Sequence, residues 1–175
     1  MILVLTVTSA ITGLVVASAE RFTRVPIDRT KKAIELAAIA EVLPQDAGVP
    51  VLTFVPMGDG ATNIAYVAGR CVAVQTSTDK GYGGRIALVV GFDAEGGVYN
   101  YTVVEHSETP GLGSHIEDSF RAHVVGRPAG TVWKVTKDGG DIDAITSATL
   151  SSRAMCDAIA EAERIRGKVL KMKRE

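Results

Sequence analysis

The densest run of reactive side chains is Asp143-Ala144-Ile145-Thr146-Ser147-Ala148-Thr149-Leu150-Ser151-Ser152. It sets hydroxyls at Thr146, Ser147, Thr149, Ser151 and Ser152 in a short loop that runs straight into a helical pattern. The first amides of a helix have no intrahelical acceptor, and the aligned peptide dipoles favour negative charge beside them. Hydroxyl donors gathered at such a point suit a phosphate. The same composition also fits an ordinary Ser/Thr capping cluster, and composition alone does not choose. A second segment, His106-Ser107-Glu108-Thr109-Pro110-Gly111-Leu112-Gly113, sets a proline-fixed turn beside glycines, where backbone can come close to a flat ring. His106 and His115 flank that loop, with no carboxylate or cysteine in the sequence pattern to make either a catalytic pair. No Ser-His-Asp order, phosphate-binding loop or metal-ligand spacing is visible. That pattern suits a carrier whose chemistry belongs to its cofactor.

The letters are more specific than the composition. Asp143, Thr146, Ala148 and Thr149 fit the pattern D-x-x-S/T-G-A-T/S, with Ser147 where the pattern has glycine. This resembles the flavinylation motif of the FMN-binding family that includes the G subunit of Rnf-type complexes and the C subunit of the sodium-translocating NADH:quinone oxidoreductase. Glu108 to Gly113 reads E-T-P-G-L-G, similar to that family's loop at the flavin. Gly81-Tyr82-Gly83-Gly84 and the run from Trp133 to Asp143 also resemble family segments, and the length is closer to that of the Rnf protein.

The resemblance implies FMN held covalently as a phosphoester on Thr149, attached by a dedicated flavin transferase. It implies Asp143, Thr146, Ser147, Ala148, Leu150 and Ser151 around the phosphate, and Glu108, Thr109, Gly111, Leu112 and Gly113 along the ring. It further implies an electron relay inside a complex that couples ferredoxin:NAD oxidoreduction to ion movement, with the other membrane and peripheral subunits as partners. Two other readings stand beside it. One is the same relay in a quinone-reductase-type complex; the other is a membrane-anchored ligand-binding or assembly module with no redox role.

The elements that must position these residues read as α+β with an antiparallel sheet. Strand patterns rich in Val, Ile and Tyr cover Val51–Val55, Asn63–Gly69, Cys71–Thr76, Arg85–Phe92 and Val98–Glu105, with a Gly96-Gly97 hairpin between the last two. Ile116–Val125 reads as a short helix, Thr131–Thr136 as a further strand, and Ser151–Arg166 as the last helix. The order lacks the regular alternation of a doubly wound parallel sheet. Asp28–Leu43 reads as a helix next to the membrane, stopped by Pro44, so the flavin-binding domain is expected over residues 46–175 and the connecting helical region over 20–45.

Met1–Ala19 carries no charge, and as a helix it spans about 28 Å, close to the hydrocarbon thickness. Ala17-Ser18-Ala19 resembles a signal cleavage site, but no basic stretch precedes the segment, and a retained transmembrane anchor is the expectation. Arg21, Arg24, Arg29, Lys31 and Lys32 follow the span; by charge alone the soluble part lies in the cytoplasm. The family resemblance implies the opposite, extracytoplasmic side of a bacterial or archaeal cell membrane, and large domains translocate largely regardless of charge. A formal net charge of −1 leaves no basic field for nucleic acid. Cys71 and Cys156 read as two small buried side chains, and nothing in their spacing demands a disulfide.

Overall fold

The computed structural model describes residues 6–9, 12–14, 34, 36–56 and 62–173. The chain divides into two compact units, Met1–Leu36 and Ala37–Glu175. In the first unit the described residues are helical, and the Thr12 hydroxyl donates back to the Thr8 carbonyl at 2.8 Å. Most of the expected membrane span, and the basic stretch after it, lie outside the described residues. Among those described, no helix is long and apolar enough to cross a membrane.

The second unit is built on a five-stranded antiparallel sheet in which each strand pairs with the next. The strands are β1 Val51–Pro56, β2 Thr62–Ala68, β3 Cys71–Thr78, β4 Ile86–Phe92 and β5 Val98–His106. The five expected strands are all present, with small shifts at their ends. Successive side chains of a strand point to opposite faces, and here both faces are covered. On one face Val72, Val74, Ile86, Leu88, Val90 and Phe92 are fully buried against the C-terminal helix, Thr149–Met172. That helix contributes Met155, Ile159, Ala162, Ile165 and Val169, a spacing of three to four residues that makes one continuous apolar stripe.

On the other face Ala68, Cys71, Ala73 and Val89 are covered by Ala38, Ile39, Val42 and Leu43 of the helical segment that ends before Pro44. Its backbone comes so close to β4 that a β-carbon on Gly91 would lie 1.7 Å from the Val42 carbonyl oxygen. Cys71 and Cys156 are both free and buried, one in the cluster on each face. The β4–β5 turn is clamped by Asp93, whose Oδ1 accepts from the amides of Glu95, Gly96 and Gly97 at 3.0, 2.7 and 2.8 Å.

Three expected elements come out differently. Residues 131–136 are not a strand. Val135 makes one isolated parallel bridge with Ile142, and a 3-10 turn, Thr136–Asp138, follows. The segment satisfies its backbone within its own loop: the Thr136 amide donates to Ile142 at 2.8 Å, and the Ile142 and Asp141 amides donate to Lys134 and Val132. Its apolar residues anchor the loop instead, with Trp133 buried and its indole N–H on Glu163 Oε2 at 2.6 Å. The expected helix Ile116–Val125 is split into a 3-10 turn, Gly113–Ile116, and one α-turn, Arg121–Val124. Ile116, Phe120 and Val124 are still fully buried at the predicted spacing. Asp118 interrupts the helix by accepting from the Ser119 amide, a local bond that competes with helical pairing. The last helix is longer than expected at both ends; at its C-terminal end Val169 and Leu170 continue the apolar stripe past Arg166.

Candidate functional site

Three segments converge at the N-terminal end of the C-terminal helix: the β3–β4 loop, the loop after β5, and the turn before the helix. Together they enclose a cavity of about 470 Å³. Glu108, Thr109, Leu112 and Gly113 line it from the post-β5 loop. Ser147, Ala148, Thr149, Leu150 and Ser151 line it from the helix start. The two motifs, more than thirty residues apart in sequence, therefore share one cavity. Asp143, Thr146 and Gly111 are exposed and do not line it. Tyr82, from the β3–β4 loop, does line it and was not among the predicted site residues; its signal was the Gly81-Tyr82-Gly83-Gly84 run.

The turn before the helix closes through the Ala148 amide donating to the Ile145 carbonyl at 3.1 Å. Ser147 has φ +64°, and among the described residues it is the one non-glycine with positive φ. Glycine is favoured at such a position because it has no β-carbon to collide with the backbone. Ser152 locks the turn to the helix: its hydroxyl accepts from the Ile145 amide at 2.9 Å and donates to the Ala148 carbonyl at 3.0 Å. On the exposed flank, Arg153 holds Asp138 through two bonds of 2.6 and 2.7 Å, which keeps that carboxyl below its ordinary range.

The helix start itself is uncapped. Ala148 occupies the capping position, where Ser, Thr, Asp or Asn usually supplies an oxygen, and no side chain bonds the first-turn amides. Thr149 is the first helical residue, half-buried on the cavity wall. The first-turn residues Thr149, Leu150 and Ser151 line the cavity, so the positive end of the helix dipole lies at its wall beside the Thr149 alcohol. No basic side chain is among the cavity-lining residues. The acidic group on the lining is Glu108, and the donors an anion would meet are the hydroxyls and the helix N-terminus.

The loop side is organised around Glu108, which is 4 % exposed. Its Oε1 accepts from the Gly83 amide at 2.9 Å, and its Oε2 accepts from the Ser151 hydroxyl. The Gly111 amide donates to Ser114 Oγ at 2.9 Å, and the Leu112 and Ser114 amides both donate to the Thr109 carbonyl at 3.2 Å, so the proline turn is held from within. Tyr82, Leu112 and Leu150 leave apolar surface exposed around the mouth of the cavity. An anion-ready floor with an apolar mouth is the arrangement that a phosphate-bearing aromatic ligand needs. A second cavity of about 490 Å³, between β1 and the end of the C-terminal helix, is lined mainly by aliphatic side chains such as Val51, Val67 and Val169.

A family model for the FMN-binding domain matches residues 81–163, which take in all three segments around the cavity. The G subunit of the ion-translocating oxidoreductase complex of Pseudomonas aeruginosa is 36% identical over 171 residues, covering 85% of this chain and 79% of that protein. The chain belongs to this G-subunit family. The G subunit of Cereibacter sphaeroides is 34% identical over 167 residues, covering 86% of this chain and 76% of its own length. That of Erwinia tasmaniensis is 43% identical over 95 residues, covering 50% of this chain and 45% of that protein. The family resemblance drawn from the two motifs is therefore borne out. So is the expectation of an antiparallel flavin-binding domain with flanking helices.

Proposed function

We propose that this chain is the flavin-carrying electron relay of an Rnf-type ion-translocating ferredoxin:NAD oxidoreductase, with FMN joined by a phosphoester to Thr149. The observation that carries the reading is Thr149 at the uncapped start of the C-terminal helix, on the wall of the cavity that the E-T-P-G-L-G loop shares. Membership in the G-subunit family and the match to the FMN-binding domain support it. The flavin supplies one- and two-electron chemistry. The chain's residues bind and orient: the helix N-terminus with Ser147 and Ser151 takes the phosphate, and the Glu108–Gly113 loop with Leu150 borders the ring. Asp143 belongs to the stretch that a flavin transferase reads during attachment.

Residues 1–19 form a single membrane anchor and residues 46–175 the flavin-binding domain, on the extracytoplasmic side of a bacterial or archaeal cell membrane. The partners are the other membrane and peripheral subunits of the complex. Free flavin is dilute on that side, and a non-covalent site would empty by mass action, so a covalent tether is what keeps the relay loaded. The test is to denature protein purified from its native membrane and look for flavin fluorescence that migrates with the chain. Fluorescence that separates from the chain on denaturation would contradict the covalent reading.

A further inference from the structure

The strongest unexplained feature is the Glu108 carboxylate, a buried charged group that bonds protein from both oxygens although it lies in a ligand cavity. Buried carboxylates need donors, and this one takes them from two separate segments, the β3–β4 loop and the first turn of the C-terminal helix. Its slot is cut to length. A β-carbon on Gly81 would lie 2.5 Å from Oε1, and one on Gly113 would lie 2.5 Å from Oε2. The residue is also held from behind, since its amide donates to His106 Nδ1 at 3.0 Å. With Nδ1 accepting, the ring proton sits on Nε2, which donates to Glu117 Oε1 at 3.0 Å.

We propose that Glu108 is a positioning residue: its side chain spans from the glycine turn to Ser151 and so holds the Thr149 hydroxyl at the place where the phosphoester forms. This rests on the reading that Thr149 carries the flavin. Ser151 is two residues after Thr149 in the first turn of the helix, so a bond at Ser151 fixes the backbone turn that carries Thr149. The property that matters is reach. Aspartate keeps the charge but withdraws the oxygens by about 1.5 Å, beyond hydrogen-bond distance. Glutamine loses the charge but keeps the length: its carbonyl accepts from Gly83, and its NH₂ donates to Ser151 Oγ, which can also accept.

The experiment uses the full chain expressed with its flavin transferase, as wild type, Glu108→Gln, Glu108→Asp and Glu108→Ala. Covalent flavin per chain is read by in-gel fluorescence and peptide mass, and amide exchange at Gly83 is followed in flavin-free protein. The glutamine variant keeps incorporation within about twofold, and the aspartate and alanine variants lose tenfold or more, because small misplacements of a reacting group are costly. Gly83 exchange quickens in the aspartate and alanine variants alone. Incorporation in aspartate but not glutamine would show that charge rather than reach matters, and wild-type incorporation in all three would remove the role altogether. If alanine fails to fold, the aspartate–glutamine pair decides. Absence of flavin from the wild type would overturn the Thr149 reading instead, and Gly83 exchange would still judge the strut by itself.

Discussion

Ser147→Gly is the most informative small perturbation, because the strain it relieves can be estimated from one angle. Ser147 sits at φ +64° on an exposed turn, so the substitution removes a β-carbon and its hydroxyl without opening a core cavity. A left-handed conformation costs a non-glycine residue about 1–2 kcal/mol. Glycine offsets about 0.5–1 kcal/mol of that through the greater freedom of its unfolded chain. The net is a stabilisation between about 0 and 1.5 kcal/mol, or a rise in Tm of up to about 6 °C for a chain this size. The control is Ser147→Val, whose branched side chain resists positive φ and should lose stability by about 1–2 kcal/mol. Thermal unfolding followed by circular dichroism reads both, and covalent flavin should be unchanged in the glycine variant. A glycine variant less stable than wild type by more than about 1 kcal/mol, or a valine variant as stable as wild type, would refute the strain argument.

Other consequences follow from the packing. Gly91→Ala puts a β-carbon into the Val42 carbonyl and should destabilise by about 1–3 kcal/mol in urea unfolding; a neutral result would mean that the covering helix shifts freely. Asp93→Ala releases three turn amides and should lose about 2 kcal/mol, with faster exchange at Gly96 and Gly97 as the local signature. Alkali should also weaken the fold. Burial pushes the Cys156 thiol up from 9.0 to about 12, and the Tyr101 hydroxyl is raised as well, chiefly by burial. Both are neutral in the native state, so stability is full below pH 9 and falls as pH climbs toward 12, where the unfolded chain releases protons that the native chain retains. Urea midpoints measured across that range should decline, and less steeply for Cys156→Ala.

Much of this was legible because the reporting residues follow simple patterns. β4 is a short, continuous apolar run, Ile86–Phe92, and such a run suits a strand covered on both faces. Ile116, Phe120 and Val124 gave the right buried positions but the wrong element, since spacing reports which side chains face inward and not whether the backbone between them is regular. Thr131–Thr136 failed for a related reason. Its residues have strand propensity, but no sheet edge is offered to them, and they bury Trp133 and bond within their own loop. At the site, the motifs named the two walls of the cavity. They could not reveal that Glu108 spends both oxygens on protein, because a hydrogen bond across forty-three residues is a property of the fold. Tyr82 was missed for the same reason: only the folded β3–β4 loop brings it to the cavity.

The central claim is tested most directly by Thr149→Val in the full chain expressed with its flavin transferase. Valine keeps the shape of threonine and removes the one nucleophilic oxygen. Thr149 is half-buried and is not the helix cap, so the substitution should cost little and the protein should still fold. Peptide mass mapping across residues 143–153, with flavin fluorescence in a denaturing gel, should find the FMN adduct on wild type, at least part of it on Thr149→Ser, and none on the valine variant. Flavin retained by the valine variant, or an adduct on any other peptide, would contradict the account.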